Sequence, residues 1–203
     1  ERPEFRKEFS IMIENVLLRK QVSLQVKVTV KVILSMLLAA MAVILPQLVH
    51  LAAGSGAGMR YLPMYLPVLL GGCLLGSAWG IGVGMVSPLV SFLITSLAGS
   101  PMPVAQRLPF MMAELAVFAL ITGLFSKKIA NRSWMAFPAV FLACVGGRSF
   151  FLLSVWVFGR AASLAPAVVW GQIRSGFVGL AIQMILVPLL AMGLEYLLDK
   201  RAE

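Results

Sequence analysis

Residues 61–98 decide the fold, because all 38 of them are uncharged: YLPMYLPVLLGGCLLGSAWGIGVGMVSPLVSFLITSLA. As a single helix this stretch would be about 57 Å long, whereas the hydrocarbon core of a bilayer is about 30 Å thick. It is therefore too long for one membrane span and just long enough for two short ones. We place the break at Gly76–Gly80. Glycines remove side-chain bulk and let two backbones touch. We predict that four of them line the facing sides of a tight hairpin: Gly72, Gly76, Gly80 and Gly84.

The rest of the chain has the same apolar character. Hydrophobic residues make up 60% of the 203 positions, charged residues make up 12%, and the mean hydropathy is +0.95. A soluble domain is usually about half apolar and a quarter charged. At about 20 residues per span, we predict an all-α membrane protein with six transmembrane helices in one membrane domain, residues 28–198. The spans are approximately Val28–Leu51, two within Tyr61–Ala98, Leu108–Phe125, Met135–Phe158 and Arg174–Leu198.

Two short segments flank this domain. Residues 1–27 form a cytoplasmic N-terminal segment, and positions 4–20 within it separate into an apolar and a charged face, as in helices that lie on a membrane surface. A solvated leader fits this segment equally well. Apolar and polar residues alternate from Val22 to Val32, which is typical of a strand, but the pattern runs directly into the first span. Residues 199–203 form a short cytoplasmic tail.

The net charge of +9 does not indicate nucleic-acid binding, because the charges lie in the gaps between apolar runs. Cytoplasmic loops of membrane proteins are enriched in Lys and Arg. If both termini are cytoplasmic, twelve basic residues lie inside, four lie outside and Arg148 lies within a span. The inside set is Arg2, Arg6, Lys7, Arg19, Lys20, Lys27, Lys31, Lys127, Lys128, Arg132, Lys200 and Arg201, and the outside set is Arg60, Arg107, Arg160 and Arg174. We therefore predict cytoplasmic termini.

Two ionisable residues lie within predicted spans, Glu114 in the fourth and Arg148 in the fifth. A charge at membrane depth costs a few kcal/mol or more, so such a residue usually has a partner or a function. Counted from the outer span ends, both residues and Gln183 of the sixth span fall in the outer half of the membrane. Two interpretations are compatible and stay open: a structural pair that neutralises itself, and the polar floor of an outward-facing ligand pocket.

Aromatic residues gather near the same end of the chain's spans. Phe151 lies in the outer half of the fifth span, and Trp170 follows it in the next loop. Aromatic residues at this level usually anchor a protein at the membrane interface. They would also stack on a ring-shaped ligand, and apolar walls with a few polar groups are the usual design of a small-molecule pocket.

The sequence shows no catalytic set. It contains one histidine, His50, and two cysteines, Cys73 and Cys144, both within apolar runs. No cluster of His, Cys or carboxylates has the spacing of a metal site, and no G-x-x-x-x-G-K-[ST] loop could cradle a nucleotide. We therefore expect no enzymatic activity, no metal and no intrinsic cofactor. Any energy for transport must come from other subunits.

Several segments, taken in order, resemble a known family. Leu62–Gly80 is similar to the second span of the substrate-binding S components of energy-coupling factor (ECF) transporters. Pro88–Ser91, Gly99–Pro103 and Pro109–Leu115 continue the pattern, and Gly179–Pro188, which includes Gln183, resembles the last span. Two positions depart from the family pattern. Tyr65 stands where a histidine is usual, and the usual Thr-Gly-Met-Pro loop reads Ala-Gly-Ser-Pro-Met-Pro at 98–103.

The resemblance implies a protein of the bacterial cytoplasmic membrane that captures a vitamin or related micronutrient from outside the cell. Such a protein docks on a membrane coupling subunit that works with two cytoplasmic ATPase subunits. The ligand site of the family lies in the outer half, between the last three spans and external loops. The resemblance thereby favours a substrate-binding set of Glu114, Arg148, Gln183, Phe151, Trp170, Arg107 and Met102. It also implies that small residues of the first span, Ser35, Ala39 and Ala42, dock on the coupling subunit.

The ligand itself is not specified by the sequence. Cobalamin, pantothenate, a pyridoxine-like compound and a queuosine precursor are all candidates. The alternative function is that of a proton-coupled secondary transporter that uses Glu114 as its relay. Such carriers usually show internal repeats and helices broken at the midplane, and the sequence shows no clear repeat.

Overall fold

The computed structural model of the chain describes residues 24–54, 57–97, 99, 102–158 and 166–202. These residues contain no β-strand, which confirms the all-α prediction. Their α-helices are α1 (Leu24–Ala53), α2 (Ala57–Tyr61), α3 (Tyr65–Leu75), α4 (Ser77–Leu97), α5 (Leu108–Leu124), α6 (Ser126–Asn131), α7 (Ala136–Phe158) and α8 (Pro166–Ala202). Single 3₁₀ turns, Ala105–Arg107 and Ser133–Met135, lead into α5 and α7. Because α1 begins at Leu24, the alternating pattern there belongs to a helix. The predicted amphipathic segment at 4–20 lies outside the described residues.

Among the described residues, five helical segments are long and apolar enough to cross a membrane. They are Val28–Ala53, Ser77–Leu97, Ala105–Asn131, Ser133–Phe158 and Arg174–Leu194. The remaining predicted span, the second along the chain, is α3, which is apolar but only 11 residues long. It spans about 16 Å, roughly half of the hydrocarbon core. The bundle therefore has five full-length helices and one half-length helix.

The half-length of α3 follows from its two prolines. Pro63 lies just before the helix, and Pro67 lies in its first turn, where backbone N–H groups have no intrahelical partner and proline is tolerated. A longer helix would place Pro67 in its interior and remove a hydrogen bond. The chain instead enters α3 through Leu62, which has a positive φ of 49°. The amide N–H of Leu62 donates to the Gly58 carbonyl at 3.1 Å, and that of Tyr65 donates to the Leu62 carbonyl at 3.0 Å.

The hairpin predicted within residues 61–98 is formed by α3 and α4. The break falls at Gly76, which has a φ of 86°, a conformation that glycine adopts at no steric cost. A β-carbon on Gly80 would lie 2.8 Å from the α-carbon of Gly72. These two glycines therefore face each other across the hairpin as predicted, and Gly76 forms its turn. Gly84 contacts another helix, since a β-carbon there would lie 2.8 Å from the Leu115 carbonyl oxygen of α5.

Helix α5 lies at the centre of the bundle and packs most extensively on α4, α7 and α3. Its approach to the hairpin depends on glycine, because a β-carbon on Gly72 would lie 2.8 Å from the Ala119 carbonyl oxygen. Gly123, near the end of α5, packs directly on the backbone of Ser77. Helix α1 packs on α4 and α3, and α2 packs on α8. The consequence is a closely packed unit of α3, α4 and α5, around which the other helices are arranged.

We call the end of the bundle that carries Gly76 and α6 the inner end, and the opposite end the outer end. The inner end carries Lys127 and Lys128 of α6 and the neighbouring Arg132, all exposed. The outer end carries Arg60, Arg107 and Arg174. This distribution fits the predicted orientation, in which the inner end faces the cytoplasm.

We predict that Gly80→Ala lowers the melting temperature of the detergent-purified protein. Its new methyl group would meet the backbone of Gly72, and overpacking of this kind typically costs about 1–3 kcal/mol. Gly82→Ala is the matched control in the same helix, because a β-carbon there has no atom within 4 Å. It should leave the melting temperature unchanged or raise it, since alanine favours a helix. Equal melting temperatures for the two variants would contradict close contact in the hairpin.

Candidate functional site

A buried ion pair joins the two charged residues predicted within the spans. Arg148 Nη1 of α7 lies 3.0 Å from Glu114 Oε1 of α5. Glu114 is fully enclosed by the bundle, whereas the side chain of Arg148 keeps a small exposed fraction: the two side chains are 2% and 10% exposed. A charge inside the membrane is stabilised by such pairing. Glu114 and Arg148 therefore form an ion pair, and Arg148 is the more accessible of the two residues.

Tyr65 completes this arrangement from a third helix. Its hydroxyl donates a hydrogen bond of 2.9 Å to Glu114 Oε2. The guanidinium carbon of Arg148 lies 5.2 Å from the centre of the Tyr65 ring, within the range of a cation–π contact. The ring of Phe118 packs edge-on against the ring of Tyr65, with 5.0 Å between the two ring centroids. Tyr65, Glu114 and Arg148 therefore form one polar cluster, which we call the triad.

The triad lies near the middle of the membrane. Tyr65 is the first residue of α3, about 16 Å from the inner end of that helix. Glu114 precedes Gly123 by nine residues, or about 14 Å, and Gly123 packs on Ser77 at the inner end. Measured from the inner end along their own helices, Tyr65 and Glu114 therefore lie at similar depths. The triad marks the level at which the tightly packed inner half of the bundle ends.

An aromatic pair lies directly on the outer side of the triad. Phe110 is one turn before Glu114 on α5, and Phe151 is one turn after Arg148 on α7. Phe151 is buried and packs, together with Val155, against Phe110. The arrangement provides apolar walls immediately outside a polar floor, which is the usual composition of a small-molecule site.

Helix α8 closes one side of the triad through its glycines. A β-carbon on Gly176 would lie 3.3 Å from Arg148 Nη2 and 3.0 Å from a methyl group of Leu62. One turn further along, a β-carbon on Gly179 would lie 2.7 Å from the Arg60 carbonyl oxygen. Because Gly176 and Gly179 have no side chain, the guanidinium of Arg148 and the loop that leads into α3 can both lie against α8.

Three polar atoms of the triad and of α8 are buried without a hydrogen-bond partner. They are Arg148 Nε, the Gln183 carbonyl oxygen Oε1 and Glu114 Oε1, which lies at ion-pair distance from Arg148 but forms no hydrogen bond. Gln183 is 3% exposed and lies seven residues, or about 10 Å, beyond Gly176 along α8, towards the inner end. The prediction that it shares the level of Glu114 and Arg148 is therefore wrong. Leaving such groups unsatisfied is costly, and buried polar groups normally find partners. A hydrogen bond from a bound molecule or a water to one of these atoms would therefore give the largest gain in free energy at the site.

The remaining predicted binding residues lie further out. Trp170 is 63% exposed and Met102 is 40% exposed, whereas Arg107 is half-buried. The backbone of Met102 is fixed to α4: its carbonyl accepts from Ser91 at 3.0 Å and from Thr95 at 3.1 Å, and its N–H donates to Thr95 Oγ1 at 2.8 Å. The outer loop is thereby tied to the bundle at this residue.

Sequence reasoning missed Tyr65, Phe110 and Gly176 as neighbours of the pair. Tyr65 was singled out only as a departure from the family pattern. A usable signal was present, because a buried tyrosine hydroxyl normally finds a hydrogen-bond partner, and few acceptors exist in a chain with so few charges. No comparable signal marked Phe110 or Gly176, whose roles depend on helix pairing.

Among the described residues there is no group of three or more His, Cys, Asp or Glu side chains that could hold an ion. Cys73 and Cys144 are buried free thiols, as expected for apolar filling residues.

The fold and the triad define a multi-pass helical membrane protein with a buried polar site. Residues 30–191 match the family model described as ECF transporter, substrate-specific component. The match covers most of the chain, so the chain belongs to this family and is a substrate-specific membrane subunit of an ECF transporter. Membership implies association with an ECF module of membrane and ATPase subunits. Comparisons with curated proteins and with solved structures gave no significant match.

We predict that Tyr65→Phe lowers the melting temperature, because it leaves a buried carboxylate oxygen without its donor, at a cost of about 1–3 kcal/mol. Tyr61→Phe is the matched control, since Tyr61 is 37% exposed, and it should melt like the wild type. The measurement is thermal unfolding of both purified variants in one detergent. If both variants melt alike, the hydroxyl bond of Tyr65 contributes nothing to stability.

Proposed function

We propose that this chain is the high-affinity substrate-binding membrane subunit of an ECF-type importer in a bacterial cytoplasmic membrane. It captures a vitamin or related micronutrient from outside and delivers it together with a membrane coupling subunit and two cytoplasmic ATPase subunits. Cobalamin, pantothenate, a pyridoxine-like compound and a queuosine precursor remain the candidate ligands. No cofactor is required beyond this transported molecule.

The observation that carries the proposal is the triad beneath the Phe110–Phe151 pair. The pair leaves one buried polar atom on each partner without a hydrogen bond, Arg148 Nε and Glu114 Oε1. The guanidinium is also the partly exposed member of the pair. A ligand that places an acceptor against Arg148 would satisfy this group and at the same time cover the aromatic walls.

Each residue has a distinct part in this proposal. Arg148 binds the ligand, Glu114 neutralises and orients the guanidinium, and Tyr65 holds the carboxylate from the opposite side. Phe151 and Phe110 pack against the ligand's apolar part. Met102, Trp170 and Arg107 lie towards the outer end, where they would contact the ligand's outward portion. Gln183 lies on the inner side of the triad and has no part in this arrangement.

A proton-coupled carrier with Glu114 as its relay is less well supported. Both carboxylate oxygens are engaged, one by Arg148 and one by Tyr65, so proton uptake would have to break the pair. Members of the family bind substrate and are not ATPases, and the sequence contains no nucleotide-binding loop. The energy for transport is therefore assigned to the ATPase subunits.

We predict that the purified chain alone binds its ligand but does not transport it. Mass spectrometry of the purified protein should reveal a copurified small molecule. Liposomes that contain only this chain should show no uptake of that molecule, whereas liposomes with the complete module and ATP should. Uptake by the chain alone under a pH gradient would contradict the proposal and favour the proton-coupled alternative.

In the same experiment, Arg148→Ala should reduce the amount of copurified molecule at least tenfold, since the ligand loses a charge-assisted hydrogen bond of up to about 3 kcal/mol. Arg132→Ala removes an exposed arginine at the inner end and should have no such effect. Equal losses in the two variants would mean that Arg148 is not a ligand-binding residue.

The docking role of Ser35, Ala39 and Ala42 stays a prediction. In the structure Ala42 is completely buried within the chain's own bundle, Ala39 is half-buried and packs on the core, and Ser35 Oγ is buried. Ala39 and Ser35 are therefore both partly accessible to a partner helix, while Ala42 serves the internal packing of α1 on α3 and α4.

We predict that Ala39→Trp spares ligand binding by the isolated chain and abolishes uptake by the assembled module, because the indole would separate α1 from the coupling subunit. Leu37→Trp is the control on the same helix, where the native side chain is already large and 56% exposed. It should transport normally. Loss of ligand binding in Ala39→Trp would show that this residue serves the fold instead.

A further inference from the structure

The triad presents a cation whose charge is already compensated. Arg148 carries one positive charge and Glu114 one negative charge, and Tyr65 contributes a hydrogen bond without a charge. The carboxylate is enclosed, so an incoming group meets the guanidinium and not the glutamate. The site therefore offers hydrogen-bond donors of a charged group but no net charge.

Other charges in the described part of the chain lie outside this cluster. On the helices that pack around the triad, the basic residues of the outer end are Arg60, Arg107 and Arg174. Arg60 and Arg174 are exposed, and Arg107 is half-buried seven residues before Glu114, or about 10 Å along the helix. The exposed charges of Arg60 and Arg174 are strongly screened by water and salt, and Arg107 lies about 10 Å from the level of Glu114. They could steer a charged molecule but would not neutralise a second anion at the triad.

We propose that the group bound at Arg148 is a neutral hydrogen-bond acceptor, such as a ring carbonyl, an amide or a nitrile, and not a carboxylate or a phosphate. This inference rests on the proposed function and specifies its substrate class. An anion at this depth would share one guanidinium with Glu114, and two anions on one cation in a low-dielectric site repel each other. A neutral acceptor gains a charge-assisted hydrogen bond without adding charge.

Glu114 is accordingly a specificity residue that acts against anions. Selectivity of this kind comes from a repulsive element as much as from an attractive one. Replacement of Glu114 by glutamine retains the shape of the side chain and an acceptor for Tyr65, but leaves Arg148 with an uncompensated charge. The variant should then favour the anionic analogues that the wild type rejects.

The test compares neutral and carboxylated members of three matched pairs by calorimetry on the purified full chain. The pairs are 7-cyano- and 7-carboxy-7-deazaguanine, panthenol and pantothenate, and pyridoxal and 4-pyridoxate. For any pair that binds, the neutral member should bind the wild type at least tenfold more tightly. In Glu114→Gln this ratio should fall at least tenfold or invert. Glu195→Gln, 19 residues or about 28 Å beyond Gly176 along α8, is the control with the same charge change and should keep the wild-type ratio.

A wild type that prefers a carboxylate, or a folded Glu114→Gln variant with an unchanged ratio, would overturn the inference and leave the proposed function intact. So would a copurified molecule whose only acceptors are carboxylates or phosphates. The wild-type comparison stands even if Glu114→Gln does not fold. A protein that binds neither cobalamin nor any of the six compounds and carries no copurified molecule would instead contradict the proposed function itself.

Discussion

The buried carboxylate of Glu114 is the constraint on which the rest of this structure depends. An isolated charge inside a bilayer is costly, and in this chain the cost is offset by one ion pair and one hydrogen bond from two other helices. Because the donors come from α3 and α7, the carboxylate fixes the relative positions of three helices. The start of α3, the depth of Arg148 and the direction of the Tyr65 ring are all tied to this one group.

The glycines of the inner half make this convergence possible. Helix α5 can carry Glu114 to the level of Tyr65 only if it lies directly against the hairpin, and it does so where Gly72 and Gly84 present bare backbone. Helix α7 is brought close by Gly147, at which a side chain would collide with the ring of Phe118. The same ring supports Tyr65. The close packing of the inner half and the polar contacts of the triad therefore depend on the same helix positions.

The sequence predicted the elements whose physical basis is local. An uncharged run of 38 residues is too long for one span and must divide into two helices, and a flexible glycine marks the break. Two opposite charges within spans are expected to form an ion pair. The contacts of Gly84 and Gly176 could not be predicted, because they depend on which helix faces which. The prediction that α3 is a full-length span was wrong, because hydropathy does not distinguish an apolar helix from an apolar loop. The positions of Pro63 and Pro67 indicate where this helix begins. The substrate-binding and docking roles of individual residues stay predictions.

The short α3 explains why the site lies where it does. If this helix continued outward, its side chains would fill the outer half of the bundle as they fill the inner half, and Tyr65 would lie in a helix interior. Pro63 and Pro67 prevent this, and the chain instead crosses the outer half as a loop and the short helix α2. Non-helical backbone at membrane depth is tolerated only where protein or a water-lined cavity surrounds it, and here α8 supplies that surface through Gly176 and Gly179. A fold element that stops halfway thus leaves Arg148 at the floor of the outer half, beneath Phe110 and Phe151.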